Sequence, residues 1–348
     1  MGSKSASTTL AEHFKLNNGL SVPAQSKPNE VKNAVELALK SGYRHVDAAA
    51  VYDNEKEVGA GIKASGVSRK DIFLTSKLWN THHKGEDVER AVDTSLADLQ
   101  TDYLDLYLIH WPVSFRRIND TERFPIDEQT FGVDVIDVPI IETWRAMEAL
   151  VKKGKIRTIG VSNFSIAKIN EIWDAAEIKP AVNQVELHPY FAQPELVKWC
   201  QDKVSEELRT GKHSTDVLMR PQGIVVEAYS PLGNNIYSLP MAIEDPVIIQ
   251  LAEKLGKTPA QIVLSWIVQR GVVVLTKSVT PSRIKSNLEV SELPADVFEK
   301  VNSLDRDHRY NLPARLGVDI FGDAKPEVLA KAVAEFKKKT RQARGLEA

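Results

Sequence analysis

An aspartate, a tyrosine, a lysine and a histidine fall at or just past the ends of successive apolar runs in the first third of the chain. Asp47 lies in Tyr43-Arg-His-Val-Asp-Ala-Ala-Ala50 and Tyr52 in the polar stretch behind it. Lys77 lies in Ile72-Phe-Leu-Thr-Ser-Lys-Leu-Trp79, and His110 in Tyr103-Leu-Asp-Leu-Tyr-Leu-Ile-His-Trp111. A phenol, with a reference pKa of about 10, is a poor acid at neutral pH. It needs a cation beside it in a low-dielectric pocket to release its proton usefully. Lys77 can be that cation. Each residue alone has an ordinary reading: a lysine ending a strand is usually a solvated rim residue, a lone histidine a structural one, a loop tyrosine a packing one. Chemistry requires that the elements bring all four to one point.

The periodicity predicts such elements. Pro28 to Ser41 has Val31, Ala34, Val35, Leu37 and Ala38 spaced for one buried helical face, with Gly42 ending it. Tyr43 to Ala50 is then expected as a strand, Asn54 to Ser65 as a helix, Ile72 to Trp79 as a strand, Gly85 to Leu99 as a helix and Tyr103 to Trp111 as a strand. Pro112 to Val138 is too long and polar for an ordinary connection, and loops of that length beside a site act as lids or specificity loops. Helix Ile140 to Lys153, strand Ile156 to Asn163, helix Ser165 to Ala176, strand Val182 to His188 and helix Gln193 to Lys203 continue the alternation. Strand Ile224 to Ser230, helices Asp245 to Leu255 and Thr258 to Gln269, strand Val272 to Lys277 and helix Pro281 to Val290 complete it. Residues 304–348 read as a loop and a basic terminal helix, its charge run a solvated face. Strand ends in such a chain meet at the carboxyl rim of a barrel, where Asp47, Tyr52, Lys77 and His110 would converge. The strands from Tyr43 onward number seven, so an eight-fold barrel needs one more before Pro28.

The totals exclude several classes. With 45 basic and 47 acidic residues and a formal net charge of −2, nothing draws the chain to nucleic acid or to an anionic membrane. No run approaches the ~20 apolar residues of a membrane span, and Met1 to Phe14 lacks the apolar core of a secretory signal. A single cysteine, Cys200, cannot close an internal disulfide and reads as a small buried hydrophobe. The expectation is a cytoplasmic protein, monomeric or weakly dimeric. No metal site is expected. No Gly-x-Gly-x-x-Gly follows a strand, so a doubly wound dinucleotide fold is unsupported.

Asp47…Tyr52, Thr75-Ser-Lys77 and Leu108-Ile-His-Trp-Pro112 resemble the signatures of the aldo-keto reductase superfamily, over nearly the whole chain. The resemblance implies one domain, residues 1–348, folded as a (β/α)8 TIM barrel with an N-terminal β-hairpin plug (residues 14–24, Asn18-Gly19 its turn). It implies hydride transfer from NADPH to an aldehyde or ketone. Tyr52 would deliver the proton, Lys77 lower its pKa, Asp47 hold Lys77, and His110 orient the carbonyl, with Trp79 and Trp111 walling an apolar pocket. By the same resemblance Ser162, Asn163 and Gln184 would bind the nicotinamide carboxamide and Tyr229 would stack beneath the ring, with Ser230 and Leu232 following it. Lys277, Ser278 and Arg283, at a strand end and a helix start, would take the 2′-phosphate of NADP, and Asn287 would face the adenine. The tail Arg309 to Phe321 resembles that of fungal aldehyde, glyceraldehyde and pentose reductases.

Two stretches depart from the family pattern. Relatives pass from the hairpin into a Gly-rich first barrel strand ending Gly-Thr-Trp. Here Val22-Pro-Ala24 runs straight to Gln25-Ser-Lys-Pro28, so that strand is deleted unless Leu20 to Gln25 is drawn from the hairpin to fill the gap. Val204 to Gln222 is a polar insertion of nineteen residues between Lys203 and Gly223, expected as a surface loop, and its edge codons can spell the borders of an unspliced intron. Two rival functions stay open: a Schiff-base aldolase using Lys77, and a non-catalytic barrel that binds nucleotide.

Overall fold

The computed structural model describes residues 19–21, 29–203, 223–233 and 240–344. Eight parallel strands close a barrel: β1 Gly19–Ser21, β2 His45–Asp47, β3 Phe73–Leu78, β4 Leu104–Ile109, β5 Ile156–Ser162, β6 Val182–Glu186, β7 Val225–Tyr229 and β8 Val273–Thr276. Each pairs with its neighbour in sequence, and β8 returns to β1. The described helices around it are α1 Glu30–Lys40, α2 Glu55–Ser65, α3 Gly85–Leu99, α4 Ile140–Lys152, α5 Ile166–Trp173, α6 Pro194–Asp202, α7 Pro246–Leu255, α8 Pro259–Gln269, α9 Pro281–Ser286, α10 Ala295–Asn302 and α11 Pro326–Ala343.

The helices form where periodicity and caps agree. On α1 the buried residues are Val31, Ala34, Val35, Ala38 and Leu39, and the chain turns off at Gly42 with φ 114°. Helix α8 starts on a reciprocal cap in which Thr258 Oγ1 accepts from the Gln261 amide at 3.2 Å and Gln261 Oε1 accepts from the Thr258 amide at 2.9 Å. Strands β4 and β6 are buried along their whole length, as strands between a filled lumen and a helical coat must be.

Alternation along the strands sorts the lumen into layers. Leu106, Leu108 and Val182, with Phe73 and Val225 packed on them, make an apolar floor. Gly160 belongs to that packing, because a Cβ there would lie 2.7 Å from the Val182 carbonyl oxygen and 2.8 Å from Leu108. Two residues further along the same strands the side chains turn polar: Thr75, Gln184 and Glu227. The polar layer lies toward the carboxyl rim.

Closure is achieved by a strand of three residues. Gly19 and Leu20 pair with Leu275 and Thr276 of β8, and Gly19, Leu20 and Ser21 with His45, Val46 and Asp47 of β2. The gap is thus filled from the hairpin segment, as expected of a chain lacking the family's first strand, but in a different register. Gly19, expected in the hairpin turn, begins the strand instead, and the filler is Gly19–Ser21 rather than Leu20 to Gln25. Both edges of Gly19–Ser21 are taken by parallel neighbours, so these residues cannot also serve as an antiparallel hairpin arm. The rest of residues 14–24 lies outside the described residues. So does the insertion at 204–222.

The 112–138 excursion is built on a small antiparallel pair, Ser114–Phe115 with Val135–Ile136. Helix α9 stops at Ser286, four residues before its expected end, because Asn287 to Val290 turns through successive short-range bonds to carry the chain across α8. Among the described residues no helix is long and apolar enough to cross a membrane.

Candidate active site

The carboxyl ends of β2, β3 and β4 bring the four singled-out residues together. Lys77 projects from β3, wholly buried, and donates to Asp47 Oδ2 at 2.6 Å and to the Ala48 carbonyl at 2.9 Å. Its ammonium lies 5.5 Å from the centre of the Tyr52 ring, which a single 3₁₀ turn, Ala50–Tyr52, swings back over the strand end. His110 follows β4 directly, its ring edge-on to Tyr52 at 5.9 Å and to Trp79 at 5.3 Å.

Electrostatics fix the states of Lys77 and His110. Burial opposes charge on Lys77, but Asp47, Tyr52 and Glu227 together outweigh it and hold the amine above its ordinary value. Lys77 is therefore an ammonium. His110 is pushed well below the usual histidine range by burial, with the Lys77 charge adding to the effect. It is a neutral ring at physiological pH, able to donate one hydrogen bond, and its buried Nδ1 has no partner.

Trp79 and Trp111 both pack against His110. Trp79 packs with Val113, Phe115 and Ile320, and Trp111 stacks on His110 at 6.5 Å and meets Phe321 of the tail at 6.2 Å. The 112–138 excursion is tied to this cluster: Trp79 Nε1 donates to the Arg123 carbonyl at 2.7 Å, and the Arg123 guanidinium grips Asp53 at 2.8 Å, one residue past Tyr52.

On the opposite side β5, β6 and β7 supply amides. Asn163 donates to the His110 carbonyl at 2.9 Å and to Ser162 Oγ at 3.1 Å, and its Oδ1 accepts from the Tyr229 hydroxyl at 2.7 Å. Ser162 Oγ donates to the Gln184 carbonyl at 2.9 Å. Gln184 Nε2 donates to Asp47 Oδ1 at 3.0 Å and to Glu227 Oε2 at 2.9 Å. The carboxamide candidates and the proton-transfer candidates are thus one hydrogen-bonded array. Ser230, at φ 49°, and the half-buried Leu232 turn the chain out of β7.

The remaining candidates stand apart from this array. Lys277 is exposed just past β8, Ser278 Oγ accepts from the Thr280 amide at 3.1 Å, and Arg283 is exposed in the first turn of α9. Neither cation enters an ion pair among the described residues. Asn287 is buried behind them.

Three participants escaped the sequence reading. Arg123 gave no signal, because its role depends on how the excursion folds back. His45, two residues before Asp47 and so on the same strand face, bonds Thr75 Oγ1 at 2.9 Å. Glu227 had a signal: it is a charged residue two before Tyr229, on the lumen-facing side of an otherwise apolar strand.

The family model described as Aldo/keto reductase family matches residues 15–306. Aldo-keto reductase family 1 member A1 of Homo sapiens is 43% identical over 302 residues, covering 83% of this chain and 86% of that protein. Aldehyde reductase YPR1 of Saccharomyces cerevisiae is 42% identical over 318 residues, covering 88% and 93%. Among solved structures, the aldose reductase from Schistosoma japonicum superposes with a TM-score of 0.74 at 35% identity, covering 87% of this chain and 93% of that one. A matched family model over most of the chain, relatives above 40% identity and a closed eight-stranded barrel with Lys77, Asp47, Tyr52 and His110 at one rim place the chain in the aldo/keto reductase family of oxidoreductases.

Proposed function

We propose that this protein reduces an aldehyde or ketone to the alcohol with NADPH, as a cytoplasmic monomer or weak dimer that takes small carbonyl substrates and neither nucleic acid nor membrane. The observation that carries the reading is the buried Lys77 ammonium, fixed by Asp47 and the Ala48 carbonyl and set against the Tyr52 ring.

The residues present fit a nicotinamide carboxamide. Both N–H groups of Gln184 are committed to carboxylates, so its side-chain carbonyl can only accept, which suits the carboxamide N–H beside the Asn163 and Ser162 pair. A nicotinamide held there would supply the hydride for the carbonyl carbon. Tyr52 gives its phenolic proton to the carbonyl oxygen, Lys77 stabilises the phenolate that remains, and solvent returns the proton once the alcohol has left. Neutral His110 donates a hydrogen bond that orients the substrate oxygen, and the aromatic wall of Trp79, Trp111 and Phe321 excludes water. Lys277 and Arg283 support NADPH over NADH, because two exposed cations near a strand end can meet a 2′-phosphate.

The aldolase alternative loses ground here. An imine needs a free amine, and Lys77 is held as an ammonium by Asp47 and the Ala48 carbonyl. The deciding experiment follows NADPH absorbance at 340 nm with a panel of aldehydes and ketones, with borohydride trapping as control. Loss of absorbance matched by alcohol formation supports the reading. Trapping of substrate on Lys77 without NADPH oxidation would replace it.

A further inference from the structure

Glu227 is a carboxyl group that the proton-transfer account leaves unused. It sits in the lumen on β7, 3% exposed, in direct register with Gln184 of β6. Its Oε2 accepts from Gln184 Nε2 at 2.9 Å, the same nitrogen donates to Asp47 Oδ1 at 3.0 Å, and Asp47 Oδ2 holds Lys77 at 2.6 Å. His45, Asp47 and Glu227 bring a ring nitrogen and two carboxylate oxygens within 4.8 Å of one another. An isolated buried carboxylate is costly, and a second one beside Asp47 more so. A group kept there at such a cost calls for a consequence.

We propose that Glu227 is a positioning residue of the reductase centre, which turns the Gln184 carbonyl toward the cofactor by a hydrogen bond and moderates Lys77 by its charge. This rests on the NADPH-dependent reading above. The first effect follows from donor counting. Gln184 has two N–H groups, and with Asp47 and Glu227 accepting both, the amide cannot flip without setting its carbonyl against the Asp47 carboxylate and giving up its bond to Glu227. Remove Glu227 and one of those constraints is gone.

The second effect follows from the charges that face the group. From β2 come Asp47 and His45, the latter depressed to about 4 by burial and so neutral; from β3 comes Lys77. β6 contributes the neutral Gln184, and β1 and β8 carry no ionisable residue. Burial first, and then Asp47, push the Glu227 carboxyl up to about 7. Once ionised, it adds a negative charge beneath Lys77 and weakens the pull of the ammonium on a Tyr52 phenolate. Tyr52 therefore stays a protonated acid to higher pH than Asp47 and Lys77 alone would allow.

Two variants separate the effects. Glu227→Gln keeps an acceptor for Gln184 and removes the charge; Glu227→Met removes both. NADPH affinity is read on the free enzyme by quenching of tryptophan fluorescence. The pH profile of kcat/KM for carbonyl reduction reads the charge, and melting of the unliganded protein between pH 5 and 8 reads the titration itself. Glu227→Gln is expected to bind NADPH like the wild type, to move the alkaline limb of the profile down by about half a unit to one unit, and to flatten the melting profile. Glu227→Met is expected to weaken NADPH binding by about fivefold, the size of one lost hydrogen bond. An active wild type matched by Glu227→Gln in pH profile and melting profile overturns the charge role, and one matched by a folded Glu227→Met in NADPH affinity overturns the orienting role. A wild type that neither binds nor oxidises NADPH overturns the reductase reading and this proposal with it.

Discussion

At the scale of single residues, the site depends on charges buried in compensating sets. Lys77 and Asp47 have no access to solvent, and each is tolerable only because the other is present. Tyr52→Phe removes the phenolic proton and leaves the Lys77–Asp47 hydrogen bond in place. It is expected to abolish carbonyl reduction while NADPH affinity stays within about twofold of wild type, since the phenol contributes only in the transition state. Fluorescence titration with NADPH and the 340 nm assay on one preparation check both halves. Lys77→Met differs: it strands Asp47 in the lumen, and a broken buried pair costs about 3–5 kcal/mol, so it lowers stability as well as rate. Glu227 adds a pH term of opposite kind. A carboxyl raised from 4.5 to about 7 contributes stability that is full below about 4.5 and lost as pH rises through about 7. The loss is about 3 kcal/mol. Further out, Arg283→Ala is expected to erode the preference for NADPH over NADH by about tenfold with little change in turnover at saturating cofactor. Equal use of both cofactors by the wild type would remove that role.

Elements were legible where pattern and punctuation coincide, and illegible where geometry alone decides. Helix α3 matches its expected bounds because its apolar face is long and runs from Gly85 to a left-handed turn at Gln100. The ends of β2 were overdrawn, since Ala48 to Ala50 are apolar enough to extend a strand but turn into the loop that carries Tyr52. Asp47, Lys77 and His110 could be placed from their motifs, whereas Glu227 and Arg123 act through partners 43 and 44 residues away. Nothing local announces such partners. The insertion at 204–222 gives a test at this scale. Cys200 at the end of α6 accepts through one carbonyl from both Lys203 at 3.3 Å and Ile224 at 2.8 Å, and a Cβ on Gly223 would lie 2.6 Å from that oxygen. The two flanks already meet at one point, as they would in a chain where α6 led straight into β7. Joining Lys203 to Gly223 is therefore expected to leave folding and activity intact, with a melting temperature equal to or above that of the full chain, because the closure cost of a long loop is relieved. A deletion variant that precipitates or loses NADPH binding would give the insertion a structural role.

The whole molecule is a barrel clasped at one end by its tail and closed at one seam by very little. The clasp is Glu186, at the end of β6, whose carboxylate accepts from the Tyr310 and Asn311 amides at 2.7 and 2.8 Å and from Asn311 Nδ2 at 2.9 Å. It fixes the start of the stretch that leads on to Phe321, which meets Trp111 at 6.2 Å. The seam is β1. A closed barrel leaves no free strand edge, and three residues pairing with β2 and two with β8 are the least that can satisfy both neighbours. Family resemblance implies a longer, Gly-rich strand here that also borders the cofactor and ends in a pocket Trp, and Gly19-Leu-Ser21 supplies neither. Two segments would compete for one slot if a Gly-Leu-Gly-Thr-Trp strand were inserted between Ala24 and Gln25. The longer one forms more ladder bonds, so it is expected to take the slot and release Gly19–Ser21 toward the hairpin. Melting temperature and NADPH affinity should then rise together, each added ladder bond contributing about 1 kcal/mol. Calorimetry and fluorescence titration of the two chains side by side decide it. If the inserted chain gains in neither, the three-residue strand already closes the barrel as well as the longer one, and its brevity costs the enzyme nothing.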